Sequence, residues 1–385
     1  MRKQQKQHIK HYSGRKRDMK TDTVQIRRML TDKCAALGIP VSGIFELTPR
    51  CNLSCKMCYI RMTPEEMKLS GKELTKDEWL SLAASAVKEG MVFLLITGGE
   101  PLLRNDFCEI YEGLMKLGLS ICINTNGTLI DDRIKALWKR LPPAYVNISL
   151  YGLSGEDYEE FCGNKDAFYK VTDALNWLKN EGILVHLNAT LTPENRHKAE
   201  DLYRFSQEYG AQLRVTTYCF PPVRQNSSCK AHNCFARLSP EQAAEATVND
   251  IYLREGTEGI IKRAADMEKT SASVCELESG EPMSCTAGRA QFWTAWNGSI
   301  TPCGMLSSPA MSCRDNAFSD IWKKIKDETL KITLSEKCSV CPERSTCTNC
   351  AATAFAETGR FDGKPEYLCA MNKEYRRILS EYNKP

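Results

Sequence analysis

The chain has 385 residues, 42% of them apolar, and a net charge of +4. That length and composition suit a globular chain of one larger and one smaller unit, and exclude a disordered or fibrous chain. Nineteen cysteines, with no apolar export segment in the basic and polar stretch 1–20, point to bound metal and away from a disulfide framework.

The net charge divides into +7 over residues 1–20 and −3 over the remainder. Residues 1–40 read as a basic tail and lead-in, with the tail a solvated arm. A tail alone does not make a nucleic-acid site, so nucleic acid is not expected as a partner. A cytoplasmic location is expected. No internal repeat is present.

The first strand-like run is Ile44–Thr48. Directly after it come Cys51, Cys55 and Cys58, spaced C-x3-C-x2-C. Thiolates suit iron–sulfur clusters and zinc. A structural zinc site takes four closed ligands, commonly from two paired units. Here there is one tight triplet, and the next cysteine is Cys108. Three thiolates can hold three irons of a cubane and leave the fourth without a protein ligand. The competing readings are a stray zinc site and three free thiols in a loop.

A helix follows over Thr75–Glu89, with Thr75-x-x-Glu78 as its start signal. Met91–Thr97 is a seven-residue apolar run, far too short for a membrane span, and reads as a buried parallel strand. It ends in Gly98-Gly99-Glu100-Pro101, where glycines let backbone approach a ligand and Glu100 offers a carboxylate to an amine. Helices are expected over Asn105–Leu117 (start signal Asp106-x-x-Glu109), Asp131–Arg140, Ala167–Asn180 and Pro193–Tyr209. Strands are expected over Leu119–Asn124, Tyr145–Leu150, Ile183–Thr190 and Gln212–Thr217. This alternation implies an α/β fold with a parallel sheet and right-handed crossovers. Asn126, Ser149 and Asn188 fall near strand ends, where function sits in such folds, although Asn and Ser also satisfy local turns.

The loop leaving the sixth strand holds Cys219, Arg224, Cys229, His232 and Cys234. It reads as a substrate-contacting lid, with a further metal site as the alternative and Arg224 as a contact for an acidic group. Cys34, Cys108, Cys122, Cys162 and Cys313 read as small apolar residues. In the second half, Phe292–Trp296, Asn297-Gly298 and Ser299–Thr301 read as a hairpin. Cys285 and Cys303 flank it, followed by Cys338-x2-Cys341-x5-Cys347-x2-Cys350 and Cys369. The paired C-x2-C units alone would also suit a zinc ribbon.

The cysteine triplet after a strand, with Gly98-Gly99-Glu100-Pro101 at the end of the next one, resembles the radical S-adenosylmethionine (SAM) enzymes. Met57 stands where the family usually has an aromatic residue, and Tyr59 follows instead. The downstream cysteines resemble the SPASM extension of that family, except that two residues, not three, separate Cys347 from Cys350. The resemblance implies a partial (β/α)6 TIM-like barrel over 41–217, a loop and helical connector over 218–272 and a cysteine-rich iron–sulfur domain over 273–385. It implies SAM and three [4Fe–4S] clusters. One is on Cys51, Cys55 and Cys58. A first auxiliary cluster would take Cys285, Cys303 and Cys350, with Cys275 as a fourth ligand the family does not always use. A second would take Cys338, Cys341, Cys347 and Cys369. Gly98, Gly99, Glu100 and Pro101 would hold the SAM amino group, and Tyr59, Asn126, Ser149 and Asn188 would line the rest of the cofactor.

By the same resemblance, one electron would split SAM into methionine and a 5′-deoxyadenosyl radical that takes hydrogen from unactivated carbon. The auxiliary clusters would accept the electron back or bind substrate. A reductant such as flavodoxin or ferredoxin is implied. The expected substrate is a peptide or protein: ribosomal peptide maturation by thioether or carbon–carbon crosslinking, or by epimerisation. A sulfatase-type maturase fits less well, because Gly304 stands where that group has an acid. The roughly 40 residues before the barrel are shorter than a usual leader-binding domain, so a leader would bind elsewhere or on a partner. Small-molecule or cofactor biosynthesis is the alternative enzyme reading, and a zinc-binding interaction protein the non-catalytic one.

Overall fold

The computed structural model describes residues 19–220, 237–272 and 285–382. Among them, nine strands form one sheet in the order β6-β5-β4-β3-β2-β1-β7-β8-β9. β1 (Ser42–Glu46), β2 (Phe93–Thr97), β3 (Ser120–Thr125), β4 (Tyr145–Ser149), β5 (Val185–Thr190) and β6 (Gln212–Thr216) run parallel in chain order. This is the α/β parallel-sheet core expected from the alternation of apolar runs.

Helices cross over between consecutive strands, as parallel pairing requires. They are α1 (Met19–Leu37) before the sheet, α2 (Pro64–Ser70) and α3 (Lys76–Lys88) after β1, α4 (Phe107–Lys116), α5 (Asp132–Arg140), α6 (Gly155–Cys162) and α7 (Ala167–Asn180) after β4, and α8 (Ala199–Glu208). Thr75 caps α3 through a reciprocal box with Glu78. Asp106 heads α4 but makes no side-chain cap. Its two oxygens instead accept from Arg104, each at 2.8 Å. The helix expected over Pro193–Tyr209 regularises only at α8. Asn195 accepts from Thr192 N–H and donates to the Thr190 carbonyl, at 2.8 and 3.0 Å, which holds the chain in a turn first.

Two further features concern the lead-in and the connectivity. Residues 19–37 of the lead-in form a helix, with Arg27 lying over the Phe93 ring at 4.4 Å. The hairpin around Asn297-Gly298 forms, but it does not stand apart from the barrel. β7 (Gln291–Thr294) pairs parallel with β1, and β8 (Ser299–Thr301) and β9 (Met311–Ser312) extend the sheet antiparallel. The seam is apolar. Phe45 on β1 and Phe292 on β7 are fully buried, with Trp79 4.9 Å from Phe45 and Phe318 4.9 Å from Phe292. Each such side chain contributes about 1.5–3 kcal/mol by burial.

Beyond the barrel, α9 (Pro240–Ala272) bends at Gly256, whose φ of +67° is left-handed. It packs Val248, Ile251 and Ile260 against Leu379 of α13 (Glu366–Glu381). Between them in sequence lie α10 (Phe318–Thr329), the short α11 (Glu336–Ser339) and α12 (Ala351–Thr358). Among the described residues, no helix is long and apolar enough to cross a membrane.

Arg314 fastens the hairpin to the barrel. It donates to Glu78 at 2.8 Å, to the Asn297 carbonyl at 3.0 Å, and to the Lys72 and Glu73 carbonyls at 3.2 Å. Arg314 holds the Glu78 carboxyl at about 2, below its ordinary 4.5. The folded value is the lower one, so this stabilisation is complete above about pH 4.5 and is lost as pH falls toward 2. Because the pair is partly exposed, its worth is modest. In urea unfolding at pH 7 the wild type should exceed Glu78→Gln by about 0.5 kcal/mol, with the gap closing as the pH drops from 4.5 to 2. A gap independent of pH would contradict this.

Candidate active site

The Cys51–Cys58 loop has no regular structure, so its neighbours set its shape. Two of its amides, Ser54 N–H and Lys56 N–H, donate to the Cys162 and Phe161 carbonyls at 3.0 and 3.1 Å. Those carbonyls belong to the last turn of α6, where a helix has acceptors to spare. On the other side, Gly99 N–H donates to the Thr48 carbonyl at 2.7 Å and Glu100 N–H to the Arg50 carbonyl at 2.8 Å.

The glycines therefore serve a different contact from the one expected of them. Gly98 and Gly99 do line the cavity. Their main constraint is backbone: a Cβ on Gly98 would lie 2.6 Å from Thr48 O, and one on Gly99 2.4 Å from Arg50 O. Glu100 does not offer its carboxylate to the cavity. It is fully buried, and it accepts from Leu102 N–H (3.0 Å), Thr125 Oγ1 (2.8 Å) and Asn126 N–H (2.7 Å). Burial pushes its carboxyl up to about 7 against these three donors. Glu100 thus braces β2 against β3, and Pro101 is buried at the start of a single 3-10 turn.

A cavity of about 420 Å³ opens where the strands end. Cys51, Cys55 and Cys58 form one wall, with Tyr59 beside them. Asn126, Ser149 and Asn188 line the polar wall. Ser149 and Asn188 are register partners on β4 and β5. Asn126 is fixed: its amide nitrogen donates to Asn52 at 2.9 Å and lies 3.8 Å from the Cys51 sulfur, and its oxygen accepts from Thr128 at 2.6 and 2.9 Å. Tyr218, Cys219 and Phe220, leaving β6, and Met305 close the far side.

The three thiols line one wall of the cavity, where the ligands of a cluster would sit. In a cubane each thiolate takes its own iron, so sulfurs are expected around a volume and not at a point. Among the described residues, no three His, Cys, Asp or Glu side chains converge on one ion position. Backbone amides already face two sulfurs, Leu53 N–H to Cys51 at 3.5 Å and Arg61 N–H to Cys58 at 3.3 Å. Such bonds stabilise thiolates. Burial pushes the Cys51 thiol up to about 12, so a bound metal is what would deprotonate it.

Reading the sequence missed α6. Cys162, taken as a small apolar residue, is indeed buried, but its thiol lies against Cys55, which also meets the Tyr151 hydroxyl. The available signal was Ser154-x-x-Asp157, whose Ser154 caps α6 by accepting from Asp157 N–H. Of the other cysteines read this way, Cys34 and Cys122 are buried, and Cys108 and Cys313 half-buried.

The downstream thiols fall into two neighbourhoods. Cys303 is near Cys350 and Cys285, and Cys347 is near Cys338 and Cys341, with Cys369 close to Cys347 and Cys338. Thr353 N–H faces the Cys350 sulfur, and Asn349 Nδ2 that of Cys338, both at 3.5 Å. Cys275, Arg224, Cys229, His232 and Cys234 lie outside the described residues, as does the tail over 1–18.

A parallel α/β barrel that gathers three loop cysteines on the wall of a cavity at its strand ends defines a class of cofactor-dependent enzyme. Residues 45–206 match the model of the radical SAM superfamily. The chain carries a radical SAM domain and is an enzyme of that superfamily, which overturns the non-catalytic zinc-protein reading. With the domain come one [4Fe–4S] cluster and SAM. The chain is 26% identical over 335 residues to an AdoMet-dependent heme synthase of Methanosarcina barkeri, spanning 82% of this chain and 93% of that protein. It is 26% identical over 230 residues to a PqqA peptide cyclase of Bradyrhizobium diazoefficiens, spanning 56% and 60%. Its fold is similar to that of Streptococcus suis SuiB bound to the precursor peptide SuiA. The TM-score is 0.63 and the identity 17%, with 96% of this chain and 84% of that one covered.

The glycine contact is testable. Gly99→Ala should cost about 1–3 kcal/mol by overpacking and lower the iron retained by the protein. Thermal unfolding and iron analysis read both, and an unchanged melting temperature with full iron would contradict the contact.

Proposed function

We propose that Cys51, Cys55 and Cys58 hold the SAM-binding [4Fe–4S] cluster, and that the chain uses it to take hydrogen from carbon of a peptide or protein substrate. When bound, the cluster and SAM supply the electron transfer and the radical. The protein's own part is to orient and to exclude water. Gly98 and Gly99 form the wall nearest the cysteine loop. Asn126, Ser149, Asn188 and Tyr59 offer polar groups to the ribose, amino and carboxylate ends. Tyr218, Cys219 and Phe220 face the substrate side.

The observation that carries this reading is the shared cavity, with three thiols on one wall and strand-end polar groups on another. Its volume of about 420 Å³ is toward the lower end for small-ligand sites. A peptide would therefore enter by one side chain or terminus, not by its body. The resulting chemistry would be ribosomal peptide maturation, by thioether or carbon–carbon crosslinking or by epimerisation. Cys285, Cys303 and Cys350, with Cys275 as a candidate fourth ligand, would hold a first auxiliary cluster. Cys338, Cys341, Cys347 and Cys369 would hold a second.

A second reading, cofactor biosynthesis, has a specific observation behind it. Heme synthase relatives align over 82% of this chain and over 93%, 83% and 88% of their own lengths. Iron porphyrin precursors and candidate precursor peptides should therefore be compared side by side.

Anaerobically purified protein should carry about twelve irons and twelve sulfides per chain if all three sites fill. Reduction with SAM should release 5′-deoxyadenosine, and Cys55→Ala should abolish it. Zinc in place of iron, or deoxyadenosine release that survives Cys55→Ala, would sink the assignment. A precursor peptide should raise the release severalfold, whereas stimulation by a porphyrin alone would favour the second reading.

A further inference from the structure

The function proposed above needs an electron delivered to the Cys51–Cys58 loop, and the cavity face of that loop is given over to cofactor and substrate. Cys51 has another face. Besides the cavity, it lines a separate groove of about 570 Å³. This groove runs between Arg50, the Arg61–Pro64 turn, α2 and residues 71–73.

Its charges are one-sided. Arg50, Arg61, Lys68 and Lys72 line it against a single acid, Glu73. That acid is already engaged: it accepts from Arg50 through two bonds of 3.0 Å and from the Thr48 hydroxyl, and lies 3.9 Å from buried Arg104. Lys68 and Lys72 are exposed, and among the described residues neither makes an ion pair. The groove also has an apolar part in Met62 and Met67.

A cationic rim around an apolar patch, with Cys51 of the redox site among the residues that line it, suits a particular kind of partner. Electron-transfer complexes are small and short-lived, and complementary charge sets their encounter rate and orientation. An acidic peptide would match the charge equally well but would gain nothing from ending at Cys51. We propose that this groove is the docking surface for a small acidic one-electron carrier protein, and that the electron enters the site at Cys51. This rests on the cluster assignment above. The step transfers one electron from the reduced carrier, which is oxidised by one, to the site, which is reduced by one. No bond or proton changes hands.

The test uses the reconstituted full chain, the double variant Lys68→Glu/Lys72→Glu, and flavodoxin as the acidic carrier. Titration of oxidised flavodoxin should show a dissociation constant raised about tenfold or more, with a weakened salt dependence. Deoxyadenosine release driven by reduced flavodoxin should fall by a similar factor, while release driven by dithionite stays within about twofold. Lys68→Gln/Lys72→Gln should fall between wild type and the reversed pair. Unchanged flavodoxin affinity would overturn the proposal. So would an equal fall with both reductants, or loss of acidic-peptide binding with flavodoxin affinity intact. If wild type releases no deoxyadenosine with dithionite, the functional reading fails instead, and the binding titration still judges the groove.

Discussion

The site depends on backbone hydrogen bonds that shape a loop with no structure of its own. Three cysteines within eight residues can point anywhere unless the chain between them is held. Here α6 takes two loop amides on one side, and at the Gly98-Gly99 turn the Gly99 and Glu100 amides take the Thr48 and Arg50 carbonyls on the other. The second contact leaves no room for a side chain on either glycine. Glu100 sits behind that turn with its carboxylate bonded inward to Leu102, Thr125 and Asn126, so the turn is held by the protein's own groups. Preorganisation of this kind matters for an open coordination position, because a floppy loop would let other ligands close it.

The second half of the chain builds on the same strand. β7 pairs with β1, the strand that leads into the cysteine loop, and Arg314 ties the hairpin turn to the start of α3. The cavity is closed partly by residues from each half, Tyr218 and Met305 among them. A half-buried ion pair adds to this. Arg237 bonds Glu357 of α12, Tyr218 donates to the same carboxylate, and the Arg237 guanidinium lies 3.4 Å over the Tyr367 ring. Helix α12 begins at Cys350, whose sulfur faces Thr353 N–H, so one short helix connects a thiol group to the cavity wall. Removing one partner of such a pair strands the other's charge, which makes this link costly to break.

Much of this was legible in the sequence. All six barrel strands lie within two residues of where their apolar runs end, and Ala167–Asn180 is helical over its whole expected span. Local signals sufficed because strands and capped helices are written in short-range periodicity and in pairs such as Thr75 and Glu78. What could not be read was long-range. Nothing local says that β7 joins β1, that Glu100 turns inward toward β3, or that the C-terminus of α6 carries the cysteine loop. Asp106 shows the reverse case: a sound local signal lost to a stronger competitor, the Arg104 guanidinium two residues away.

The central claim is that the Cys51, Cys55 and Cys58 loop presents one iron to SAM across the cavity. It is tested most directly by electron–nuclear double resonance on the reduced protein with SAM labelled at its amino nitrogen and carboxylate oxygens. The account predicts hyperfine coupling from both labels to a [4Fe–4S] signal, retained when Cys338 and Cys341 are replaced and absent when Cys51 is. Coupling that persists without Cys51, or no coupling at all in iron-replete protein that binds SAM, would contradict it.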